Sequence, residues 1–481
     1  MNQHISDALN LAATRGASYA DIRILERSSE AIQVKNGTVE AMSRSEDEGF
    51  GVRVLVDGAW GFAASSRLSK EEIDRVTAQA VQIARASAST GGKEVNLGAP
   101  VVSTGYYKSP IQQDPFSVPT EQKLNLLMLA DELMRKTRGV VVATGQYDGI
   151  HTHKLFASSE GSDLEQDIYE VGAGIEATAI SESGDVQVRS YPNSMGGQWG
   201  TRGWELIESL KLLDNAERVG SEAVQLLTAK QCPAKRTTII LCSAQTALQI
   251  HESCGHPIEL DRVYGQEAAF AGTSFLTTEK LGNFRYGSEM VNIFADATVE
   301  GGLGSFGWDD EGVPAQRTPI IDHGKLVGYL TNRETASDLG ITSGGTSRGY
   351  SWNHLPIIRM TNINLEPGDS SLEQMISETE DGIYFDLNRS WSIDDKRYNF
   401  QFGCEAAWEI KNGKRGEMLR NATYTGITPE FWGSLDAIAG RDEWIVWGLP
   451  NCGKGQPMQT GHVGHGAAPA RFRDVQVGVL K

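Results

Sequence analysis

The chain has 481 residues, of which 40% are hydrophobic and 22% are charged, and its formal net charge is -18. This composition predicts a globular protein with a full core and argues against a disordered or fibrous chain. The negative charge argues against nucleic acid as a ligand, because that binding depends on Lys and Arg side chains that neutralise phosphates.

Cellular location is predicted from hydropathy and cysteine content. The sequence has no run of about 18 apolar residues, so we expect no membrane span. Residues 1–4 do not begin a basic segment followed by an apolar one, so we expect no secretory signal. The 5 cysteines are odd in number, which indicates reduced thiols rather than a disulfide framework. We therefore expect a cytoplasmic protein.

The first half of the chain alternates helices with strands. Ser69 and Glu72 form a capping box that opens a helix with Ile73, Val76, Ala80 and Ile83 on its buried side. Other helices are predicted over residues 4–14, 120–137 and 204–228, and a connecting loop over 88–119.

The strands of the first half are predicted from short β-branched and alternating runs. Asn36-Gly37 and Asp57-Gly58 predict hairpin turns, because these residues tolerate positive φ. The predicted strands are 22–24, 31–34, 39–42, 51–56 and 60–62, with more between about 140 and 190.

The pattern changes near Cys232-Pro233. From about residue 231 the chain consists mostly of short strands, with hairpins at His323-Gly324 and Asn412-Gly413. We predict two domains, 1–230 and 231–481. The predicted fold class is α+β, with helices packed on an antiparallel sheet in the first domain and a strand-rich second domain with one short metal-bearing helix.

The run His251-Glu252-Ser253-Cys254-Gly255-His256 ends this short helix. Histidines five residues apart on an ideal α-helix point about 140° away from each other. They can share one metal ion only if the helix ends or bulges between them. Gly255 and Pro257 favour such a break. The sequence therefore predicts a metal site that includes His251 and His256.

Hydrolysis at a metal needs a Lewis acid with an open position and a nearby carboxylate base. Glu252 adjoins His251 and is the predicted base. Cys452 is favoured as third ligand, because its Gly-rich segment looks like a loop in which Lys454 and backbone N–H groups can stabilise a thiolate. A His/His/thiolate set favours zinc. The candidates left open for the third ligand are Cys254, Cys404, Cys452, His462 and His465.

At these positions the chain resembles the TldD/PmbA family of zinc metalloproteases, formerly labelled modulators of DNA gyrase. The resemblance extends over nearly the whole chain. The motifs that carry it are residues 51–62, 251–261, 309–315, 354–356, 359–362 and 451–456.

The resemblance implies a zinc site formed by His251, His256 and Cys452, with Glu252 as the catalytic base. It implies short or unfolded peptides as substrates, held as an added strand by a strand-rich catalytic domain. It also implies a homodimer, or a heterodimer with a TldE/PmbA-like paralogue that lacks the metal motif. The alternative is a non-catalytic, peptide-binding subunit of such a complex.

Three other patterns allow different interpretations. Gly345-Thr346-Ser347-Arg348-Gly349 matches the serine-hydrolase elbow, but no helix is predicted after it, which favours a loop near the site. Asp309-Asp310-Glu311 is interpreted as an acidic surface turn rather than a cation site. His151 and His153 share one face of a strand and are interpreted as an exposed pair without a third partner.

Overall fold

The structure is a computed structural model that describes residues 2–455 and 458–478. Met1, the first residue of the N-terminal segment without a predicted signal, and Gln456, at the end of the last family motif, lie outside these ranges. The predicted fold class, α+β with a strand-rich C-terminal half, is confirmed. None of the helices in the described ranges combines the length and the apolar character needed to cross a membrane.

Helices are concentrated in the first half of the chain. All those in the second half are short. In chain order they are α1 (Asn2–Thr14), α2 (Lys70–Ala88), α3 (Thr120–Arg135), α4 (Trp204–Ser209), α5 (Leu212–Thr228), α6 (Ser243–Ile250), α7 (Leu260–Val263), α8 (Arg333–Leu339), α9 (Leu372–Ser377) and α10 (Thr428–Gly433).

Eight strands of the first half form one sheet in the order β3-β2-β1-β5-β6-β4, with β7 and β8 also paired to β6. All pairs are antiparallel except β4 with β6. The strands are β1 (Tyr19–Lys35), β2 (Thr38–Val56), β3 (Ala59–Ser65), β4 (Thr104–Lys108), β5 (Val140–Ser158), β6 (Asp163–Ile180), β7 (Val186–Tyr191) and β8 (Gln198–Gly200).

The two faces of this sheet differ, as the two-residue period of a strand requires. Ala20, Ile22 and Ile24 of β1 pack under α1 and α2. Asp21 and Arg23 are buried on the opposite face, which the second half of the chain covers. The sheet therefore lies between a layer of helices and the strand-rich half.

The second half contains sixteen strands in the described ranges. They are β9 (Lys230–Gln231), β10 (Lys235–Leu241), β11 (Ile293–Asp296), β12 (Arg317–Asp322), β13 (Lys325–Leu326), β14 (Ser347–Arg348), β15 (Ile357–Ile358), β16 (Ile363–Leu365), β17 (Asp381–Ile393), β18 (Asn399–Lys411), β19 (Lys414–Arg420), β20 (Ala422–Ile427), β21 (Leu435–Ile438), β22 (Ile445–Gly455), β23 (Met458–Ala467) and β24 (Ala470–Val477).

The main sheet of the second half has the order β17-β10-β24-β20-β18-β19-β9, and β21 pairs with β24. Because β17 also pairs with β18, five of these strands form a closed circuit of hydrogen-bonded pairs. A smaller sheet has the order β13-β12-β11-β16, and β14–β15 and β22–β23 form two-stranded pairs. Every residue of α6 is buried among these strands, which places the metal-site helix in the interior.

The predicted hairpin turns, helix cap and strands of the first half are present, but several strands and helices differ in length from the prediction. The hairpin residues Asn36-Gly37 and Asp57-Gly58 adopt positive φ, and Ser69 caps α2 as predicted. The predicted short strands merge into β1 and β2, because no turn-forming sequence interrupts them and β5 supplies a long partner for β1. Lys211, with a φ of 52°, divides the predicted 204–228 helix in two.

Two further predictions in this half are wrong. The segment 88–119 contains β4, which gains its hydrogen bonds by pairing with β6 rather than from any local signal. Ile83, predicted on the buried side of α2, is 38% exposed, because the stripe that packs on the sheet is formed by its neighbours Val76, Ala80 and Ala84.

The segment Asp309-Asp310-Glu311 is a buried junction rather than the predicted surface turn. Asp310 accepts hydrogen bonds from Arg23 at 2.9 Å and Lys154 at 2.6 Å, both on strands of the first sheet. Glu311 accepts one from Arg53 of β2 at 3.1 Å. The acidic run was misjudged because its cationic partners lie more than 150 residues away in the chain.

Candidate metal centre

The two histidines of the predicted site are brought to one side of the chain by a π-helical turn. Residues His251–Gly255 form this turn directly after α6, and the N–H of His256 donates to the carbonyl of His251 at 3.1 Å. A π turn closes its hydrogen bond over five residues instead of four. Residues five apart therefore lie next to each other, and the expected bulge between His251 and His256 is present.

The π turn is stabilised by partners outside the helix. Pro257 has no N–H, so the carbonyl of Ser253 lacks its usual helical donor. The hydroxyl of Tyr286 donates to that carbonyl at 2.9 Å. The Ser253 hydroxyl donates to the carbonyl of Gln249 and accepts from the Trp432 indole. The irregular turn therefore satisfies its buried polar groups.

Cys452 joins the two histidines. One ligand atom from each of His251, His256 and Cys452 lies within 4.8 Å of the other two, and all three residues are buried. The distance from the Cys452 Sγ to the His256 Nε2 is 3.7 Å, and the two imidazole rings are 4.8 Å apart in an edge-to-face arrangement. Two imidazole nitrogens and one thiolate are donors that suit a zinc ion.

The outward-facing nitrogen of each imidazole has a fixed partner. The Nδ1 of His256 lies 2.9 Å from a carboxylate oxygen of Glu259 and donates to it. The Nδ1 of His251 lies 2.8 Å from the Nε2 of His465, whose own Nδ1 lies 3.3 Å from the carbonyl of Ile363. Since that carbonyl only accepts, His465 donates to it and accepts from His251. Both predicted ligands therefore keep the Nε2 lone pair free.

The electrostatics of the three donors reflect their burial. Burial lowers the pKa of His251 and of His256 well below the usual value, and nearby cations lower both further. Both imidazoles are therefore neutral, the form that binds a metal. Burial raises the pKa of the Cys452 thiol to about 11, although Arg359 opposes the shift. A cation held between the donors would favour the thiolate.

Cys452 differs from its prediction in two respects. It is buried on β22 rather than placed in a loop, and Lys454 does not contact its thiol. The Lys454 ammonium, expected to stabilise the thiolate, donates instead to Asp261 at 2.7 Å and to the carbonyl of Ile358 at 2.7 Å. The loop predicted for this Gly-rich segment is wrong, because the segment pairs with β23 and forms a strand.

Glu252, the predicted base, lies in the π turn beside His251 and is buried. Its carboxylate pairs with the guanidinium of Arg397, in the connection between β17 and β18. Burial raises the pKa of Glu252, and Arg397 opposes that shift. This carboxylate therefore lies in the same turn as the proposed ligand His251 and forms an ion pair with Arg397.

The other candidate ligands lie in different environments. Cys254 is in the π turn and Cys404 is on β18, both within the hydrophobic core. His462 pairs with Glu170 at 3.0 Å. His465 is buried against the Nδ1 of His251, because the β22–β23 pair folds over α6.

The elbow motif and the histidine pair both differ from their alternative interpretations, and the two histidines are half-buried rather than exposed. Ser347 is buried on β14 and no helix follows it, so the geometry of a serine-hydrolase elbow is absent there. His151 and His153 do have a third partner, contrary to expectation. The carboxylate of Asp167 on β6 lies 2.8 Å from His151 and 3.3 Å from His153.

Sequence reasoning missed the residues that surround the donors. Glu259 and Asp261 lie within the 251–261 motif and Lys454 within the 451–456 motif, but only the folded chain brings the two motifs together. Lys454 is fully buried, 3.4 Å from Glu259 and 2.7 Å from Asp261. It therefore connects the strand of Cys452 with the segment that follows His256. The acidic character of residues 259–261 was the one signal that could have indicated this role.

Three family models match consecutive parts of the chain. They describe PmbA/TldA metallopeptidase domain 1 at residues 20–84, the central domain at 113–231 and the C-terminal domain at 234–479. A metalloprotease from Methanocaldococcus jannaschii is 33% identical over 454 residues, which cover 93% of this chain and 94% of that protein. A zinc metalloprotease TldD homolog from Saccharolobus solfataricus is 24% identical over 465 residues, which cover 96% and 97%.

Two solved structures share the fold. One is a Thermotoga maritima protein described as a candidate modulator of a DNA gyrase, with a TM-score of 0.79, 17% identity and coverage of 99% of this chain and 100% of that one. The other is TldE from Thermococcus kodakarensis, with a TM-score of 0.72, 16% identity and coverage of 99% and 100%.

The fold and the family models define a protein of the metallopeptidase class. The chain belongs to the PmbA/TldD metallopeptidase family. The expected family resemblance is thereby confirmed over nearly the whole length. The division into two domains at residue 230 stays a prediction.

Proposed function

We propose that this protein is a zinc-dependent peptidase in which His251, His256 and Cys452 hold the ion and Glu252 is the catalytic base. The observation that carries the proposal is the convergence of those three donors within 4.8 Å of one another, with the buried Glu252 in the same turn as His251. The metalloprotease names of the relatives support the same class.

Glu252 and Arg397 have different roles in the proposed peptide hydrolysis. When bound, the zinc ion supplies a Lewis acid that acidifies a water molecule and polarises the scissile carbonyl. Glu252 takes the proton of the attacking water on a carboxylate oxygen and delivers it to the nitrogen of the leaving amine. Arg397 holds that carboxylate in place before the substrate arrives.

We further propose short or unfolded peptides as substrates. His251, His256 and Glu252 are 2–5% exposed. A peptide bond within a folded protein is held in its own structure and has no access to such a site. An extended segment can be bound by backbone hydrogen bonds as an added strand. A casein digest compared with a digest of a tightly folded protein tests this selectivity.

The proposed assembly is a homodimer or a heterodimer with a TldE/PmbA-like paralogue, and the fold shared with TldE supports it. Native mass spectrometry of the purified chain, alone and with such a paralogue, distinguishes the two. We also propose a cytoplasmic location, because all five cysteines are free and free thiols are typical of a reducing compartment.

The test compares the wild type with Glu252→Gln. We expect both proteins to retain zinc by elemental analysis, and casein hydrolysis by the variant to fall by about 10²- to 10⁴-fold, the typical contribution of an acid–base residue. Equal hydrolysis by both proteins would discard Glu252 as the base.

Two further outcomes separate the alternatives. A zinc-loaded wild type that binds peptides without cleaving them would identify a non-catalytic, peptide-binding subunit. Hydrolysis that survives zinc removal but is lost in Ser347→Ala would favour a serine hydrolase.

A further inference from the structure

A cavity of about 200 Å³ lies between the first sheet and the second half of the chain. Side chains of β1, β5 and β6 form one wall. The opposite wall is formed by residues 303–306, by Arg348 and Gly349 of the elbow motif, and by residues 459–462 at the start of β23. Part of the motif Gly345–Gly349, whose spacing matches a serine-hydrolase elbow, therefore lines this cavity.

Three guanidinium groups line this cavity, those of Arg27, Arg348 and Arg359. Within residues 2–455 and 458–478, no carboxylate forms an ion pair with any of the three. Their hydrogen bonds go to backbone carbonyls and to one hydroxyl. The Nε atoms of Arg348 and Arg359 are buried and have no hydrogen-bond partner among the residues that the structure describes.

The two carboxylates that line the cavity already form ion pairs with other side chains. Asp310 pairs with Arg23 and Lys154, and Glu170 pairs with His462. The lining therefore has an excess of positive charge, in a chain whose formal net charge is -18. Burial and the neighbouring Arg359 lower the pKa of Arg348 to about 10, although Glu170 and Asp310 oppose the shift.

The cavity borders the proposed zinc site through Arg359. This side chain is 2% exposed and donates to the carbonyl of Cys452. Gly461, which also lines the cavity, pairs directly with Cys452 across β22 and β23. The guanidinium also contributes to the lowered pKa values of His251 and His256. A peptide at the zinc site therefore lies within a few residues of the cavity.

We propose that the cavity is a substrate subsite for a carboxylate, contributed by a peptide's C-terminus or by an Asp or Glu side chain near the scissile bond. Guanidinium groups suit this task because they present several N–H donors to two carboxylate oxygens. The proposal rests on the proposed peptidase function. It makes Arg348 a specificity-determining residue, and the peptidase prefers acidic peptides or peptides with a free C-terminus.

The test uses one neutral peptide with a C-terminal amide and its charged relatives. One relative has a free C-terminal carboxylate, and the others carry Glu in place of Gln at each position in turn. We measure kcat/KM for each peptide and locate the cleaved bond by mass spectrometry. We expect at least one charged peptide to be favoured by about tenfold, which corresponds to about 1.4 kcal/mol. The favoured peptide identifies the source of the carboxylate.

Arg348→Gln is the informative variant, since Arg359 contacts Cys452 and is left intact. We expect the preference of about tenfold to fall to about one in Arg348→Gln. It should stay unchanged in Arg138→Gln, the matched control, because Arg138 is an exposed arginine outside the cavity. An unchanged preference in Arg348→Gln, or no preference in the wild type, would overturn the subsite.

Peptide binding to Glu252→Gln, measured by fluorescence anisotropy, separates this proposal from the peptidase proposal. If the zinc-loaded wild type cleaves nothing, the peptidase function fails, but the affinities still test the cavity. Tighter binding of one charged peptide, lost in the double variant with Arg348→Gln, supports the subsite. Equal affinities for all peptides contradict it.

Discussion

At the scale of single residues, the proposed zinc site depends on hydrogen-bond direction as much as on position. The Ile363 carbonyl fixes the orientation of His465, and His465 in turn fixes the tautomer of His251. Glu259 does the same for His256 with a charge. His251 thus has a neutral partner and His256 has an anionic one. In both imidazoles the Nε2 atom is left as an acceptor, which is the form in which imidazole binds a metal.

Replacing Cys452 by Ser tests the proposed ligand set. A serine hydroxyl is a much weaker zinc ligand than a thiolate, so we expect zinc affinity in Cys452→Ser to fall by more than the roughly 10- to 100-fold that loss of an outer partner costs. A chelator competition measures this affinity. Cys404→Ser is the control, because Cys404 is also buried but packs in the core of the second half. Equal affinities in the two variants would exclude Cys452 as a ligand.

Replacing Glu259 by Gln tests its role as an outer partner. The amide keeps an acceptor for the His256 Nδ1 but removes the charge, so we expect zinc affinity to fall by about tenfold. The exposed Glu279 provides the control substitution, Glu279→Gln, which should leave the affinity unchanged. Zinc binding that is the same in Glu259→Gln as in the wild type would show that the charge has no role in the site.

At the scale of secondary-structure elements, the π turn depends on a hydroxyl from outside the helix. Tyr286→Phe removes the donor to the Ser253 carbonyl, which Pro257 cannot replace. An unsatisfied buried carbonyl costs about 1–3 kcal/mol. We expect a loss of this size in the free energy of urea unfolding, together with weaker zinc binding, because the turn sets the spacing of His251 and His256.

The matched control for this substitution is Tyr329→Phe. The Tyr329 hydroxyl is also buried and donates to the carbonyls of Leu276 and Thr277, which belong to no part of the π turn. This variant should lose comparable stability and keep its zinc affinity. If Tyr286→Phe also kept the wild-type zinc affinity, the turn would not depend on this hydroxyl for the geometry of the site.

Turns and helix caps could be predicted from the sequence because the residues that form them are neighbours in the chain. Asn36-Gly37 forces a hairpin through positive φ, and Ser69 caps a helix through its own hydroxyl. The bulge between the two histidines was also predictable, because Pro257 removes a helical donor. The length of β1 and the strand at Cys452 were not, because both depend on partners distant in the chain.

The candidate site also combines residues that the sequence indicates with residues that only the folded chain brings together. His251, His256 and Glu252 were predicted from one short run, and Cys452 was favoured among five candidates for the third ligand and implied by the family resemblance. Their partners were not: His465 and Lys454 acquire their roles only when the β22–β23 pair covers α6 and the π turn, and Glu259, three residues after His256, was not singled out. Residue type alone does not distinguish a buried histidine that orients a ligand from an exposed one.

At the scale of the whole molecule, buried ion pairs join the first sheet to the strand-rich half. Asp310 lies between Arg23 of β1 and Lys154 of β5 and also accepts from the N–H of Gly349 at 2.7 Å. Arg53 joins Glu311 to Asp21 in the same layer. This junction fixes one wall of the cavity relative to the other, so its stability and the geometry of the proposed subsite are linked.

Asp310→Asn tests the strength of this junction. The substitution leaves Arg23 and Lys154 buried without their anion, which typically costs about 3–5 kcal/mol. We expect a loss of this size in urea unfolding at pH 7. Asp163→Asn, at an exposed position of β6, should change stability by no more than about 0.5 kcal/mol. Equal losses in the two variants would contradict a special role for Asp310.

The pH dependence of the same comparison identifies the charge as the cause. Burial alone would raise the pKa of Asp310, but Lys154 and Arg23 outweigh it and hold the pKa below its usual value. A carboxyl with a lowered pKa stabilises the folded state above its unfolded pKa of about 3.9 and loses that contribution as the pH falls further. The difference between wild type and Asp310→Asn should therefore be complete at pH 7 and shrink below about pH 4. A difference that stays constant down to pH 3 would mean that the amide disrupts packing rather than an ion pair.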